Sequence, residues 1–293
     1  MATIQWFGRR QDFVDAASRL QDRMEGQYVP VAGAAAAEGR CPVCERPTTF
    51  VLSGSSDSRP NLRENLHCPR CHLNSRQRLV FVAMRDHLLQ GTGDVPPRGA
   101  LLEQTTRLYR RAHHAWPWLT GSEFLGDQRF SGRHYWWSTR WWRWRHTRHE
   151  SITSLSYATD SLGLLVHSDV LEHVYDTPAA LRESSRVLRP GGVTLFTVPF
   201  FVDREQSLLR GRPAADGQIE HLAPPEYHGD GLRHGGIYTF HHFGWDLIER
   251  MRDAGFSRAQ IGFCHAPGEG FHPDDPAATG PWQSWPLLFR AVK

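Results

Sequence analysis

The hydrophobic pattern changes period twice between residues 164 and 200. Leu164, Leu165 and Val166 form an unbroken apolar run, which predicts a strand buried on both faces and ended by Ser168-Asp169. Asp176-Thr177-Pro178 then reads as a helix start, with Asp or Thr as cap and Pro in the first turn. Ala179, Leu181, Val187 and Leu188 give that helix an apolar face, and Arg182, Glu183, Arg186 and Arg189 a wet one. Pro190-Gly191-Gly192 turns the chain, and the β-branched and aromatic run Val193 to Val198 predicts a second central strand. The unit is a strand–helix–strand crossover of an α/β protein.

Weaker patterns flank it. Residues 11 to 25 predict an amphipathic helix with Phe13, Ala17, Leu20 and Met24 near one face, and Val31 to Gly39 reads as a linker. Arg76 to Leu89 predicts a helix, and the Gly/Pro-rich stretch Gly91 to Gly99 a boundary. Ala100 to Glu103 reads as the first strand of the larger domain, Leu119 to Asp127 as the second and its end, and His149 to Asp160 as the third and its loop. Phe240 to Gly255 predicts a helix with Leu247, Ile248 and Met251 inward. Phe256 to Phe263 and Pro286 to Val292 would close the sheet, with irregular Pro/Gly-rich chain between them. The expected domains are therefore residues 1–40 (helix and linker), 41–92 (a small cysteine-bearing domain and connecting helix) and 98–293 (the α/β domain).

Composition narrows the classes. The chain has 293 residues and a formal net charge of +3, so bulk charge does not call for nucleic acid. No apolar run approaches the roughly 20 residues that span a bilayer, and the N-terminus lacks the apolar core of a signal peptide. A cytoplasmic protein without a membrane partner is the expectation. Four of the five cysteines form two C-x-x-C pairs, Cys41/Cys44 and Cys68/Cys71. Each pair lets one tight turn aim two sulfurs at a metal, and two such turns complete a tetrahedral zinc ribbon. Four thiolates leave no open position, so the zinc would be structural. His67 and His72 flank the second pair but are not needed as ligands, and Cys264 reads as a buried apolar residue.

Asp169-Val170-Leu171-Glu172-His173, followed at this spacing by Arg186-Val187-Leu188-Arg189-Pro190-Gly191-Gly192, resembles the class I S-adenosylmethionine (SAM)-dependent methyltransferases. The resemblance implies a doubly wound, seven-stranded Rossmann-like methyltransferase sheet and SAM as cofactor. The first turn departs from the usual glycine-rich pattern, reading Glu103-Gln104-Thr105-Thr106-Arg107-Leu108-Tyr109. In this it is similar to a bacterial subgroup that pairs an N-terminal C-x-x-C with a segment of this type. On that reading Thr105 or Thr106 caps a helix whose N–H groups hold a carboxylate. Glu103, Gln104, Thr105 and Thr106 would face the amino-acid end of SAM. Ser122 and Glu123 would face its ribose and Ser151-Ile152 its adenine, with Asp169, Val170 and His173 at the nearby floor.

The acceptor side is less legible. Tryptophan, arginine and histidine interleave through residues 129 to 149, which suits either a stacking and cationic ligand surface or aromatics folded over the domain. Residues 200 to 236 form a long insertion carrying His221, Glu226, Tyr227 and His228, the candidates for acceptor binding or proton removal. His221, Glu226 and His228 also make a candidate second metal set. Three functions fit: methyl transfer to a hydroxyl or amine of a small molecule, sugar or natural product; methylation of RNA; or an inactive scaffold that has lost its glycine-rich turn.

Overall fold

The computed structural model describes residues 3–24, 36–53, 61–90, 98–138, 144–229, 235–271 and 286–293. The chain divides into two compact units, Met1–Asp94 with Gln260–Arg290, and Val95–Ala259 with Ala291–Lys293.

In the first unit β1 (Gln5–Phe7) leads into α1 (Arg10–Met24). β2 (Ala36–Cys41), β3 (Arg46–Leu52) and β4 (Leu66–His67) form a three-stranded antiparallel sheet, with the short α2 (Leu62–Asn65) before β4. α3 (Ser75–Gln90) follows. Part of the expected 31–39 linker is thus strand, and residues 31–35 lie outside the described residues. Backbone pairing with β3 settles it where side chains carry no signal. Gly39 is also needed for space, because a Cβ there would meet the Gly268 carbonyl at 2.4 Å. Phe13 on α1 is fully buried, edge-on to Phe7 and Phe263.

The second unit holds β5 (Gly99–Leu101), α4 (Arg107–Ala115), β6 (Leu119–Gly121), β7 (His134–Trp137), β8 (Arg145–Arg148) and β9 (Leu162–Ser168). α5 (Thr177–Val187) and β10 (Leu188–Thr197) complete the crossover. Asp176 caps α5 by accepting the Ala179 N–H at 2.9 Å, with Pro178 in the first turn. β9 pairs in parallel with β10 and with β5, and β5 with β6. Leu162 to His167 are all buried, as a strand covered on both faces requires. The insertion and the chain just after it fold into short ladders: β11 (Leu208–Leu209), β12 (Gly211–Pro213), β13 (Ile219–His221), β14 (Tyr227–His228), β15 (Ile237–Tyr238) and β16 (His241–His242). They pair β11 with β16, β12 with β13 and β14 with β15. α6 (Asp246–Asp253), β17 (Arg258–Phe263) and β18 (Leu288–Val292) follow.

The main sheet has seven strands in the order β1-β17-β18-β10-β9-β5-β6. The count matches the doubly wound expectation, but its makeup differs in one place. Residues 149 to 160 supply no sheet strand; His149 makes a lone parallel bridge to Glu123, and the regular pairing upstream is the β7–β8 hairpin. The seventh strand is β1, antiparallel to β17. The helix expected from Phe240 begins only at Asp246, because His241-His242 are drawn into pairing with β11. No described helix is long and apolar enough to cross a membrane.

Candidate functional site

Four parallel strands end at one edge of the sheet, and β5, β6 and β9 each run into a carboxylate within two residues of their ends. Beyond β5, Glu103 is 8% exposed, and its Oε1 accepts from Ser168 Oγ at 2.7 Å at the end of β9. Beyond β6, Glu123 is also 8% exposed, and its Oε1 accepts the Thr105 N–H and Thr105 Oγ1–H, both at 2.6 Å. Gln104 donates its N–H to the Ser122 carbonyl, and its Oε1 accepts the Arg148 N–H. Glu103, Gln104, Thr105, Ser122 and Glu123 are therefore brought together as one turn. Ser122 Oγ is fully buried there, with no hydrogen-bond partner among the described residues. Asp169 takes a left-handed backbone (φ 49°), fastened by its N–H to the Thr197 carbonyl and by Thr197 Oγ1–H to its Oδ1. Such a conformation is uncommon outside glycine, and Asp is among the residues that adopt it.

The glycine-free turn has a packing reason. Thr106 caps α4, its Oγ1 accepting the Tyr109 N–H at 3.1 Å. Tyr109 lies against β6 so closely that a Cβ on Gly121 would fall 2.5 Å from its ring. The close approach that glycines in the turn commonly provide is here met by one glycine in the neighbouring strand. The Thr105 and Tyr109 N–H groups are both committed inside the chain. Ser151 and Ile152 sit one step away: Glu150 N–H donates to the Glu123 carbonyl, Ser151 Oγ pairs with Thr153 Oγ1 and Ile152 is buried.

His173 turns away from this rim. It closes a 3-10 turn, Leu171–His173, and its Nδ1 lies 2.8 Å from the Tyr238 carbonyl. A carbonyl only accepts, so Nδ1 carries the proton. Glu172, 0% exposed, stands between His173 and His228, its Oε1 at 3.8 Å from His173 Nε2 and 3.9 Å from His228 Nδ1. His228 Nε2 lies 2.9 Å from Glu226 Oε1, while His242 Nε2 and an Arg210 guanidinium nitrogen reach Glu226 Oε2 at 2.9 and 3.2 Å. Burial alone would raise the Glu226 carboxyl, but His228, His242 and Arg210 outweigh it and hold it below the usual range. Burial, and then Arg210, push His242 down.

Of the four acceptor-side candidates, only Glu226 and His228 share a hydrogen bond. His221 and Tyr227 each pack against Tyr238, with ring centroids 5.3 and 5.6 Å from it. Tyr238 O–H donates to the Arg210 carbonyl at 2.9 Å, so its oxygen accepts from His221 Nδ1 at 3.2 Å. That leaves His221 Nε2 as the lone-pair nitrogen of an exposed histidine. Glu172, Tyr238 and His242 lie outside the insertion, and Arg210 lies within it but was not among the candidates. The adjacent Glu172-His173 and His241-His242 pairs were the available signal.

Residues 136–196 match the family model of a methyltransferase domain. That stretch of the chain is similar to methyltransferase domains. The matched stretch runs from β7 to the end of β10 and includes Asp169 to His173. Among solved structures, an S-adenosylmethionine-dependent methyltransferase from Mesorhizobium loti is similar at 14% identity over 71% of this chain and 96% of its own, with a TM-score of 0.35. Phosphoethanolamine N-methyltransferase 2 of Haemonchus contortus, solved with SAM, is 13% identical over 73% of this chain and 52% of its own, with a TM-score of 0.37. No curated protein matches the chain.

Two further features stand apart from this rim. In the first unit, Cys41, Cys44, Cys68 and Cys71 converge, their sulfurs all within 4.8 Å of one another. Cys41–Cys71 and Cys44–Cys68 are 3.8 and 3.9 Å apart. Four sulfurs around zinc at about 2.3 Å would stand about 3.8 Å apart, so the set fits that ion. The two knuckles match: Glu45 donates to the Cys41 carbonyl and His72 to the Cys68 carbonyl, each at 2.8 Å and each at positive φ. Arg78, fully buried, donates to the Leu66, Leu73 and Gly270 carbonyls and lies over Phe50. Burial pushes its guanidinium down to about 10 against the pull of the four nearby cysteines. Cys264 stays apart and buried, its thiol pushed up by burial to about 12.

In the second unit, β7 pairs Trp136 with His146 and His134 with Arg148. Trp136 and Trp144 are 67% and 61% exposed, and His134 stacks on His146. Residues 139–143 of the Trp/Arg segment lie outside the described residues.

Proposed function

We propose that this methyltransferase transfers the methyl of SAM to a hydroxyl or amine of a small molecule, with a structural zinc in the cysteine quartet. The observation that carries the reading is the rim at the strand ends, where Glu103, Glu123 and Asp169 lie in reach of one another through Ser168 and Thr105. A carboxylate at the end of β6 suits ribose hydroxyls, and carboxylates beyond β5 and β9 suit a cationic amino-acid end. The buried Ser122 hydroxyl and the strained Asp169 backbone belong to the same floor. When bound, SAM supplies an already activated methyl, so the chain's own work is to orient the acceptor and accept its proton.

For that proton the best-prepared base is His221. Its Nδ1 is fixed on Tyr238, which leaves Nε2 to receive a proton, the arrangement of a base oriented by a third group. His228, with Glu226 holding its Nε2, faces Glu172 instead. Calorimetry with SAM and S-adenosylhomocysteine tests the reading; micromolar binding is expected. Absence of binding would leave the scaffold interpretation standing. His221→Ala should keep that affinity while turnover falls roughly 10²–10⁴-fold. Full turnover in this variant removes His221 as base.

The exposed Trp136, Trp144, His134 and His146 favour RNA as a second acceptor reading, since aromatic faces beside cations stack on bases. A steep fall of RNA affinity with salt, lost in Trp136→Ala, would support it.

A further inference from the structure

We propose that Glu172, His173 and His228 form a three-ligand site for a divalent transition-metal cation. One carboxylate oxygen and one nitrogen from each ring lie within 4.8 Å of one another. The two gaps from Glu172 Oε1, 3.8 Å to His173 Nε2 and 3.9 Å to His228 Nδ1, are too long for hydrogen bonds. They are shorter than twice a metal–ligand bond, about 4.2 Å, so one cation can span both.

The tautomers point the same way. His173 gives its Nδ1 proton to the Tyr238 carbonyl, and His228 Nε2 stands 2.9 Å from the Glu226 carboxylate. The ring nitrogens left over, His173 Nε2 and His228 Nδ1, are the two that face Glu172 Oε1. A metal-binding histidine characteristically donates its other N–H to a backbone carbonyl or a carboxylate, and here one histidine shows each form. The set differs from the insertion-only set His221, Glu226 and His228. Glu226 serves as the outer partner of His228, and the inner carboxylate comes from the turn after β9, held by the Phe240 N–H on the Glu172 carbonyl at 2.7 Å.

Imidazole with carboxylate suits zinc, cobalt or iron(II) rather than a thiolate-seeking ion. Three protein ligands leave room for an oxygen of an incoming molecule, whose hydroxyl would be acidified by the ion. That last step rests on the methyl-transfer reading; the site itself does not.

The test uses the full chain with its thiolate site loaded with zinc, titrated with Co²⁺ and followed by visible absorption and calorimetry. One further equivalent of Co²⁺ is expected, with ligand-field bands but no thiolate charge-transfer band, and with paramagnetic shifts on the His173 and His228 ring signals. Glu172→Gln and His228→Ala should each weaken Co²⁺ binding at least tenfold while the zinc content stays unchanged. Uptake of no second equivalent by the wild type overturns the proposal whether or not the variants fold. So does uptake that leaves those two rings unshifted, or that survives both substitutions. Failure of the methyl-transfer reading would appear separately, as absent SAM binding with Co²⁺ uptake intact.

Discussion

Glu123 has a structural contact that the sequence does not suggest. It stands where a ribose-binding carboxylate is expected, and it also fastens the first turn through both donors of Thr105. Glu123→Ala should therefore weaken SAM binding by about 1–3 kcal/mol in calorimetry, through a loosened turn as well as a lost contact. Unchanged affinity would remove it from the site. His167 shows how a buried ionisable group ties stability to pH. It lies fully buried in β9, stacked on Phe196, and burial drops it from 6.5 to about 3. Below pH 6.5 the unfolded chain takes up a proton that the folded one refuses. Stability should then fall by about 1.4 kcal/mol per pH unit, down to about pH 3. Urea midpoints measured from pH 7 to 4.5 should drop less steeply in His167→Leu than in wild type; parallel slopes would contradict the assignment.

At the scale of elements, the crossover from β9 to β10 was legible because it carries its own punctuation. Asp176 and Pro178 start the helix and the strands are apolar on both faces, but the helix stops at Val187, so Leu188 and Arg189 lie in β10 rather than in the helix, and Gly191 at φ 75° turns the chain inside that strand's irregular start. The cysteine knuckles were legible for a similar reason, since spacing alone dictates their turns. β1 was not, because three residues carry no period and its pairing with β17 joins positions some 250 residues apart in sequence. Nor was the absence of a strand at 149–160, where His149 and Glu150 turn inward to bond Leu125 and Ser156 instead of extending a ladder. The acceptor-side cluster was half legible: the insertion's own residues stood out, but Glu172 and His242 join it only through folding. The knuckles yield a direct test. Purified protein should hold about one equivalent of zinc in the thiolate site, and Cys41→Ser or Cys68→Ser should release it and destabilise the first unit. Full retention in both variants would exclude the site.

At the scale of the whole molecule, the order of segments along the chain matters as much as their contacts. The first unit is assembled from Met1–Asp94 and Gln260–Arg290, with the second unit's residues spelled out between them. Arg78 and Ser75 both donate to the Gly270 carbonyl, and Gly39 lies against Gly268, so the late segment completes the surroundings of the early one. A fragment ending at residue 94 should bind zinc yet give poorly dispersed NMR spectra, which sharpen when a peptide of residues 260–293 is added; a well-folded fragment would show the late segment to be dispensable. During synthesis the same dependence becomes a matter of time. At roughly 5–20 residues per second, a ribosome needs on the order of 8–30 s to travel from one half of this unit to the other. The nascent N-terminal region must wait that long with Arg78 short of an acceptor, open to chaperones and proteases, while the segment that follows it is free to fold first.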